Sequence, residues 1–272
     1  MMIRCRVGTR GSRLALAQTQ SVCRRLQSAF PQISFEPVVI KTVGDSVLDR
    51  PIRDIGVDAP FTQSIERALL SGEIDLAVHS MKDLASELPE GLVLAKAWSR
   101  GDPRDALVCR GNCRTLDDLP RGAVVATGSL RRSFFLGRRR PDLEIVDIRG
   151  NVDTRLRKLF DPAPGERNID ALVLAAAGLV RLGRADAITE FLDPSWMIPA
   201  PNQGQLAIEM RKADQELKEM VDSLGDDDAE RVAAAERGFL RSTGGNCRDV
   251  VAAYARIVDG ELVMEKFHAK SR

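Results

Sequence analysis

The sequence predicts an α/β protein, built as two α/β domains in succession with a small α+β third domain. Three observations predict it. Short apolar runs alternate with stretches of helical period, the mark of strands and helices in turn and of largely parallel sheets. The alternation restarts after "SRGDPRD". A length of 272 residues also suits about two domains.

The elements follow in order. "IRCRVG" reads as a strand and "SRLALAQTQSVCRRLQSAF" as a helix capped by Ser12, followed by the strand "FEPVVIKT". "VGDSVLDRPIRDIGVDAP" carries glycine, proline and aspartate without a period, so it reads as a mobile loop. "FTQSIERALLSG" stacks Phe61, Ile65 and Leu69 at helical spacing. "IDLAVHS" reads as a buried strand that runs into "MKD". In the second domain "ALVCR", "AVVAT" and "LEIVDI" are strands. "LRRSFFLGRRR" and "RGNVDTRLRKLF" are helices, the latter with Val152, Leu156 and Phe160 on one face. "IDALVLAAAGLVRLG" is a strand leading to a short helix. "MIPAPNQGQLAIEMR" crosses back with a further strand of the first domain. "DDDAERVAAAERGFLRST" is a helix with an acidic first turn, and "VVAAYARIVDGELVMEKF" is a hairpin about Asp259-Gly260. The first domain is therefore expected over residues 1–99 plus 200–220, the second over 100–199 and the third over 221–272.

Composition narrows the function. The net charge of +1 argues against whole-molecule steering to nucleic acid or membrane. No segment reads as a signal peptide or approaches the roughly 20 apolar residues of a membrane span, so a cytoplasmic protein is expected. Five cysteines, an odd count, do not form a disulfide framework, and two histidines leave little for structural zinc. Phosphate-loop and serine-hydrolase motifs are absent, and His79, inside an apolar strand, reads as structural. No metal site is expected.

The chemistry sits at element ends. Arg10 precedes the first helix, Arg131 and Arg132 follow "ATGSL", Arg149 and Arg155 belong to "RGNVDTR", and Arg181 ends "GLVR". Open α/β sheets bind ligands beyond the carboxyl ends of their strands, helix N-termini favour anions, and arginine grips carboxylates in pairs. The pattern points to a cleft for a polycarboxylate. Arg138, Arg139 and Arg140 read as solvated surface instead. In "HSMKD", Lys82 and Asp83 follow directly on a buried strand; a carboxylate there can stabilise a cation or relay a proton, the bland alternative being a surface ion pair. Cys247 follows Gly244, Gly245 and Asn246, and the two glycines leave clearance for something attached to the thiol.

Together "TRGSRLALAQ", "AVHSMKD", "DPRDALV", "TGSLRR", "DIRGNVDTRL", "LAAAGLVRLG" and "AERGFLRSTGGNC" resemble the hydroxymethylbilane synthase (porphobilinogen deaminase) family, in order and spacing, over roughly residues 3 to 260. The resemblance implies two domains like type II periplasmic binding proteins and a third that presents the cysteine. It implies a dipyrromethane cofactor joined to Cys247 as a thioether, and head-to-tail polymerisation of porphobilinogen with release of ammonia. By the same resemblance Asp83 stabilises the cationic azafulvene and assists proton transfer. Lys82, Asp83, Thr127, Ser129, Arg131, Arg132 and Arg155 match cofactor ligands. Arg10, Ser12, Phe61, Arg149 and Arg181 match substrate-binding positions, and Arg10, Arg149 and Arg155 also count with Asp83 as catalytic. A monomer without nucleic-acid or membrane partners is expected.

The chain departs from the pattern at Asp58, Gly128, Asn202, Asn246 and Val250, where lysine, serine, glycine, glycine and proline are usual. The alternative reading is a diverged paralogue that binds a pyrrole or polycarboxylate without elongating it. A non-enzymatic anion-binding protein shares only the architecture.

Overall fold

The structure, a computed structural model, describes residues 3–42, 62–244 and 249–270. The loop expected over 43–60 with Asp58, the first residue of the helix expected after it, Phe61, and the residues Asn246 and Cys247 lie outside the described residues. Twelve strands are described. They are β1 (Ile3–Thr9), β2 (Ile33–Val39), β3 (Leu76–Ser80), β4 (Leu92–Leu94), β5 (Asp105–Cys109) and β6 (Val124–Ala126). β7 (Glu144–Val146), β8 (Ala171–Ala175), β9 (Glu190–Phe191), β10 (Leu206–Arg211), β11 (Val250–Val258) and β12 (Glu261–Ala269) follow.

The chain divides into two compact units: Met1–Gly101, Gln205–Gly245 and Ala255–Val263 form the first, and Asp102–Gly204, Asn246–Tyr254 and Met264–Arg272 the second. The first contains a sheet of order β2-β1-β3-β10-β4 and the second one of order β7-β6-β8-β5-β9. The architecture is α/β in both units, with β11 and β12 as a separate two-stranded ribbon. The expectation of largely parallel sheets holds in strand direction. In each sheet three neighbouring strands are parallel, a fourth runs antiparallel between them and a fifth, and that fifth again runs with the first three. In the first unit that fourth strand is β10, which returns from far along the chain as the sequence indicates.

Period-two burial explains the apolar runs. Alternate residues of β5 enter different cores of the second unit: Leu107 packs with Val125, Leu136 and Val173, while Ala106 and Val108 pack with Leu156, Leu159 and Leu172. In the first unit Val7, Leu26, Leu76 and Met210 form one core, and Ile65, Leu69, Ile74 and Ala77 another.

The helix Arg13–Ala29 is capped by Ser12, whose Oγ accepts from Ala15 N at 3.2 Å. The helix Val152–Phe160 buries Leu156 and Leu159, whereas Phe160 is 49% exposed. The expected stripe ending at Phe160 is therefore wrong: the helix stops there, and its last turn presents Leu159 to the core. Arg140 also departs from the surface reading, because it donates to the carbonyls of Leu116 and Leu119 at 2.6 and 2.9 Å and pairs with Asp142. The hairpin turn has φ of 51° at Asp259 and 82° at Gly260, as a tight turn with two left-handed residues requires. Phe267 of β12 stacks near Phe134 and Phe135, with ring centres 5.0 and 5.3 Å apart.

Candidate functional site

In the first unit the candidate residues follow two adjacent parallel strands. Arg10 and Ser12 come after β1, and Lys82 and Asp83 come after β3 in a short 3₁₀ turn, Met81–Asp83. Asp83 is exposed and Lys82 half-buried, while their neighbours Met81 and Leu84 are buried. Met81 N donates to Gln205 O at 3.0 Å, and Gln18 Nε2 donates to the Ser80 hydroxyl at 3.0 Å. The turn thus offers a carboxylate outward from an anchored backbone.

Behind β3 lies a buried polar cluster. His79 Nε2 is 3.1 Å from Glu209 Oε2, both side chains almost fully buried, which bears out the structural reading of His79. Glu66 on the helix Gln63–Leu70 shares the cluster. Burial pushes its carboxyl above the usual range, the Thr62 hydroxyl opposes this, and the Glu209 charge adds to it.

In the second unit the candidates follow β6, β7 and β8, which are parallel neighbours, so their carboxyl ends share one edge. Ser129 caps the helix Leu130–Arg139, accepting from Arg132 N, and Ser129 N donates to Thr127 Oγ1 at 3.3 Å. Arg149 Nε donates to Asp147 Oδ2 at 3.2 Å, and Arg155 Nε to Gly150 O at 2.8 Å, so these two arginines share the loop after β7. A Cβ on Gly128 would lie 2.9 Å from Ile148 O and 3.9 Å from Arg155 Nη2. Glycine therefore permits the loop after β6 to approach the loop that carries Arg149. Arg181 donates Nη2 to Gly204 O at 2.5 Å, and burial holds its guanidinium down at about 10.

Arg131 and Arg132 are only 5% and 6% exposed, and they share one fully buried carboxylate, Asp105. Arg131 Nη2 lies 2.7 Å from Asp105 Oδ2, and Arg132 donates Nε to Oδ1 at 2.9 Å. Gln203 Nε2 also donates to Oδ1, at 2.9 Å. Burial alone would push Asp105 up; the two guanidiniums and Gln203 outweigh it and hold the carboxyl below its ordinary value. Arg131 spends Nη1 on Ile198 O at 2.6 Å, and Arg132 spends Nη1 on Val173 O at 3.1 Å. Arg131 Nε is buried without a hydrogen-bond partner among the described residues.

Sequence reading missed Asp105 and Gln203. A signal existed for the first: Asp105 is the one charged residue in the strand "DALVC". Asn202 has φ of 59°, a left-handed conformation that glycine and asparagine tolerate best, so this departure preserves the backbone. Of the cysteines, Cys5, Cys23 and Cys109 are buried and free. Burial pushes Cys5 to about 12 and Cys23 to about 11, and raises Cys109 as well, so these thiols stay protonated. Among the described residues no helix is long and apolar enough to cross a membrane, and no group of three His, Cys, Asp or Glu side chains is placed to hold a metal.

Fold and site together define a two-unit α/β protein that carries arginines and a carboxylate at strand ends. Solved structures of similar shape include the VFT2 domain of Bordetella pertussis BvgS (double mutant), with a TM-score of 0.47 and 18% identity over 87% of this chain and 92% of that one. An ancestral cationic amino acid solute-binding protein has a TM-score of 0.47 and 15% identity over 89% and 91%. A family model described as "Porphobilinogen deaminase, dipyromethane cofactor binding domain" matches residues 5–219. The porphobilinogen deaminase of Lachnospira eligens is 52% identical over 260 residues, covering 95% of this chain and 87% of the relative. Those of Syntrophus aciditrophicus and Clostridioides difficile are 50% and 46% identical, covering 92% and 97% of this chain and 80% and 86% of the relatives. The chain belongs to the porphobilinogen deaminase family.

Proposed function

We propose that the chain is a hydroxymethylbilane synthase, a transferase that joins four porphobilinogen molecules head to tail with release of ammonia, on a dipyrromethane carried as a thioether by Cys247. The observation that carries this reading is the seating of the family's motif residues at the carboxyl ends of neighbouring parallel strands in both units. The dipyrromethane, when bound, supplies the pyrrole carbon from which the product grows.

The residues present fit such a group. Asp105 neutralises one of the two buried guanidiniums beside it, which leaves one positive charge at the start of the helix Leu130–Arg139. A ligand carboxylate there would be stabilised by that charge, by the helix N-terminus and by the unpartnered Arg131 Nε. Lys82, Thr127, Ser129, Arg131, Arg132 and Arg155 are the residues proposed to hold the cofactor. The third domain proposed over residues 221–272 presents the cysteine. Arg10, Ser12, Arg149 and Arg181 are proposed to hold the acetate and propionate of incoming porphobilinogen, and Phe61 is proposed to bind the same substrate. Asp83, exposed on an anchored turn, is proposed to stabilise the positive charge that develops on the pyrrole as ammonia leaves and to accept its proton.

The described departures do not favour a binder without turnover: Asn202 keeps a left-handed backbone and Gly128 closes a loop contact. The test is incubation of the purified chain with porphobilinogen. Release of ammonia with formation of the linear tetrapyrrole is expected; consumption of no porphobilinogen by adduct-bearing protein would establish the diverged binder instead.

A further inference from the structure

We propose that Arg237 is a positioning residue for this reaction, holding the turn that carries Lys82 and Asp83 by gripping the two carbonyls just beyond it. The inference rests on the functional reading above. Arg237 lies on the helix Asp227–Ser242, which leads toward Gly244 and the cysteine segment in sequence. Its Nη2 donates to Ala85 O at 3.0 Å and to Ser86 O at 3.1 Å. Burial lowers its guanidinium from the ordinary value, the Arg241 charge adds to this, and Glu209 opposes it. A partly desolvated cation needs hydrogen bonds; Nη2 makes two to these carbonyls, while Nη1 is buried without a partner among the described residues.

The helix grips the turn along one stripe. Ala229, Ala233 and Arg237 are spaced at i, i+4 and i+8, so they share a face. Ala229 and Ala233 are in one buried cluster with Met81, Leu84, Ala97 and Ala207. Met81 and Leu84 are the residues on either side of Lys82-Asp83. Upstream, Met81 N is tied to Gln205 O; downstream, Arg237 takes the next two carbonyls after Leu84. The Asp83 side chain itself is exposed, so its aim is set by this anchored backbone rather than by packing. Misplacing a reacting group by about 1 Å can cost on the order of a hundredfold in rate. Arginine suits the task because the planar guanidinium fixes the direction of Nη2 toward both carbonyls, whereas a lysine ammonium is a freely rotating point charge.

The test compares the full-length wild type with Arg237→Met, which keeps the stem, and Arg237→Lys, which keeps the charge. Adduct occupancy is measured by intact mass, and kcat and KM with porphobilinogen. Arg237→Met should lower kcat per adduct-bearing molecule by roughly 10- to 100-fold, with KM and occupancy near wild type, and Arg237→Lys should recover part of the loss. In an Asp83→Asn background Arg237→Met should cost little more, since Arg237 acts through Asp83. Wild-type kcat in Arg237→Met, or losses that multiply in the double variant, would overturn the inference. Should Arg237→Met not fold, Arg237→Lys carries the test: a lowered kcat at unchanged KM supports the role, and a wild-type kcat overturns it. A wild-type chain that carries its adduct but consumes no porphobilinogen overturns the functional reading, and this inference with it.

Discussion

The two α/β units share one strand order but treat their charged residues in opposite ways. In the first, the candidate reacting group, Asp83, is exposed on a turn whose flanks, Met81 and Leu84, are buried. In the second, Arg131 and Arg132 are buried with their shared carboxylate, Asp105. One topology thus supports both a carboxylate held by its backbone and cations held by a buried counter-ion. The difference suits the roles proposed for each group. A group that meets a developing charge must be reachable, whereas cations that grip carboxylates act best when already fixed and partly desolvated.

Breaking the second arrangement should have the largest effect. Asp105→Ala leaves two guanidiniums buried without their carboxylate, and removing one member of a buried pair costs about 3–5 kcal/mol. Urea denaturation should show this loss, with less dipyrromethane bound; a variant within about 1 kcal/mol of wild type would show that the pairing contributes little. Asp83→Asn probes the first arrangement. Adduct attachment should persist while turnover falls by roughly two orders of magnitude or more, with stability unchanged; turnover within a few-fold of wild type would remove Asp83 from the chemistry.

Smaller changes sharpen the contrast between side chains that hold backbone and side chains that react. Asn202→Ala and Asn202→Gly remove the same polar side chain, but alanine at φ of 59° should cost about 1–2 kcal/mol more than glycine. Equal losses in both variants would assign the cost to the asparagine side chain instead of the backbone. Glu66→Gln should show its effect through pH. The folded carboxyl is raised above its unfolded value near 4.5, so the fold favours the protonated form, and stability is lost as pH rises from that value through the folded one. The amide has no such loss, so the variant should gain on wild type as pH rises above 4.5. A constant difference over that rise would show that Glu66 does not titrate with folding.

Local pattern carried most of the fold into view. The strands that alternate with helices, the Ser12 cap and the Asp259-Gly260 turn were readable because each depends on neighbours in sequence, and β10 was legible as a strand in the same way although its pairing with β3 is long-range. The helix Gln215–Asp222 was passed over, and β4 and β9, at three and two residues, are too short to show a period. The strand-end positions of the candidate residues were legible for the same local reason. Their partners were not. Asp105 meets Arg132 across 27 residues and Gln203 across 98, and His79 meets Glu209 across 130, so nothing in the neighbouring sequence announces them. Arg237 sits in a helix whose acidic first turn was plain, yet its hold on Ala85 and Ser86 depends on chain more than 150 residues away.

Peptide mass mapping of the purified chain tests the central claim most directly. The account predicts a dipyrromethane adduct on the peptide that contains Cys247, and on none of those that contain Cys5, Cys23, Cys109 or Cys113. Protein that forms hydroxymethylbilane with an unmodified Cys247, or that carries the adduct on another cysteine, would contradict it.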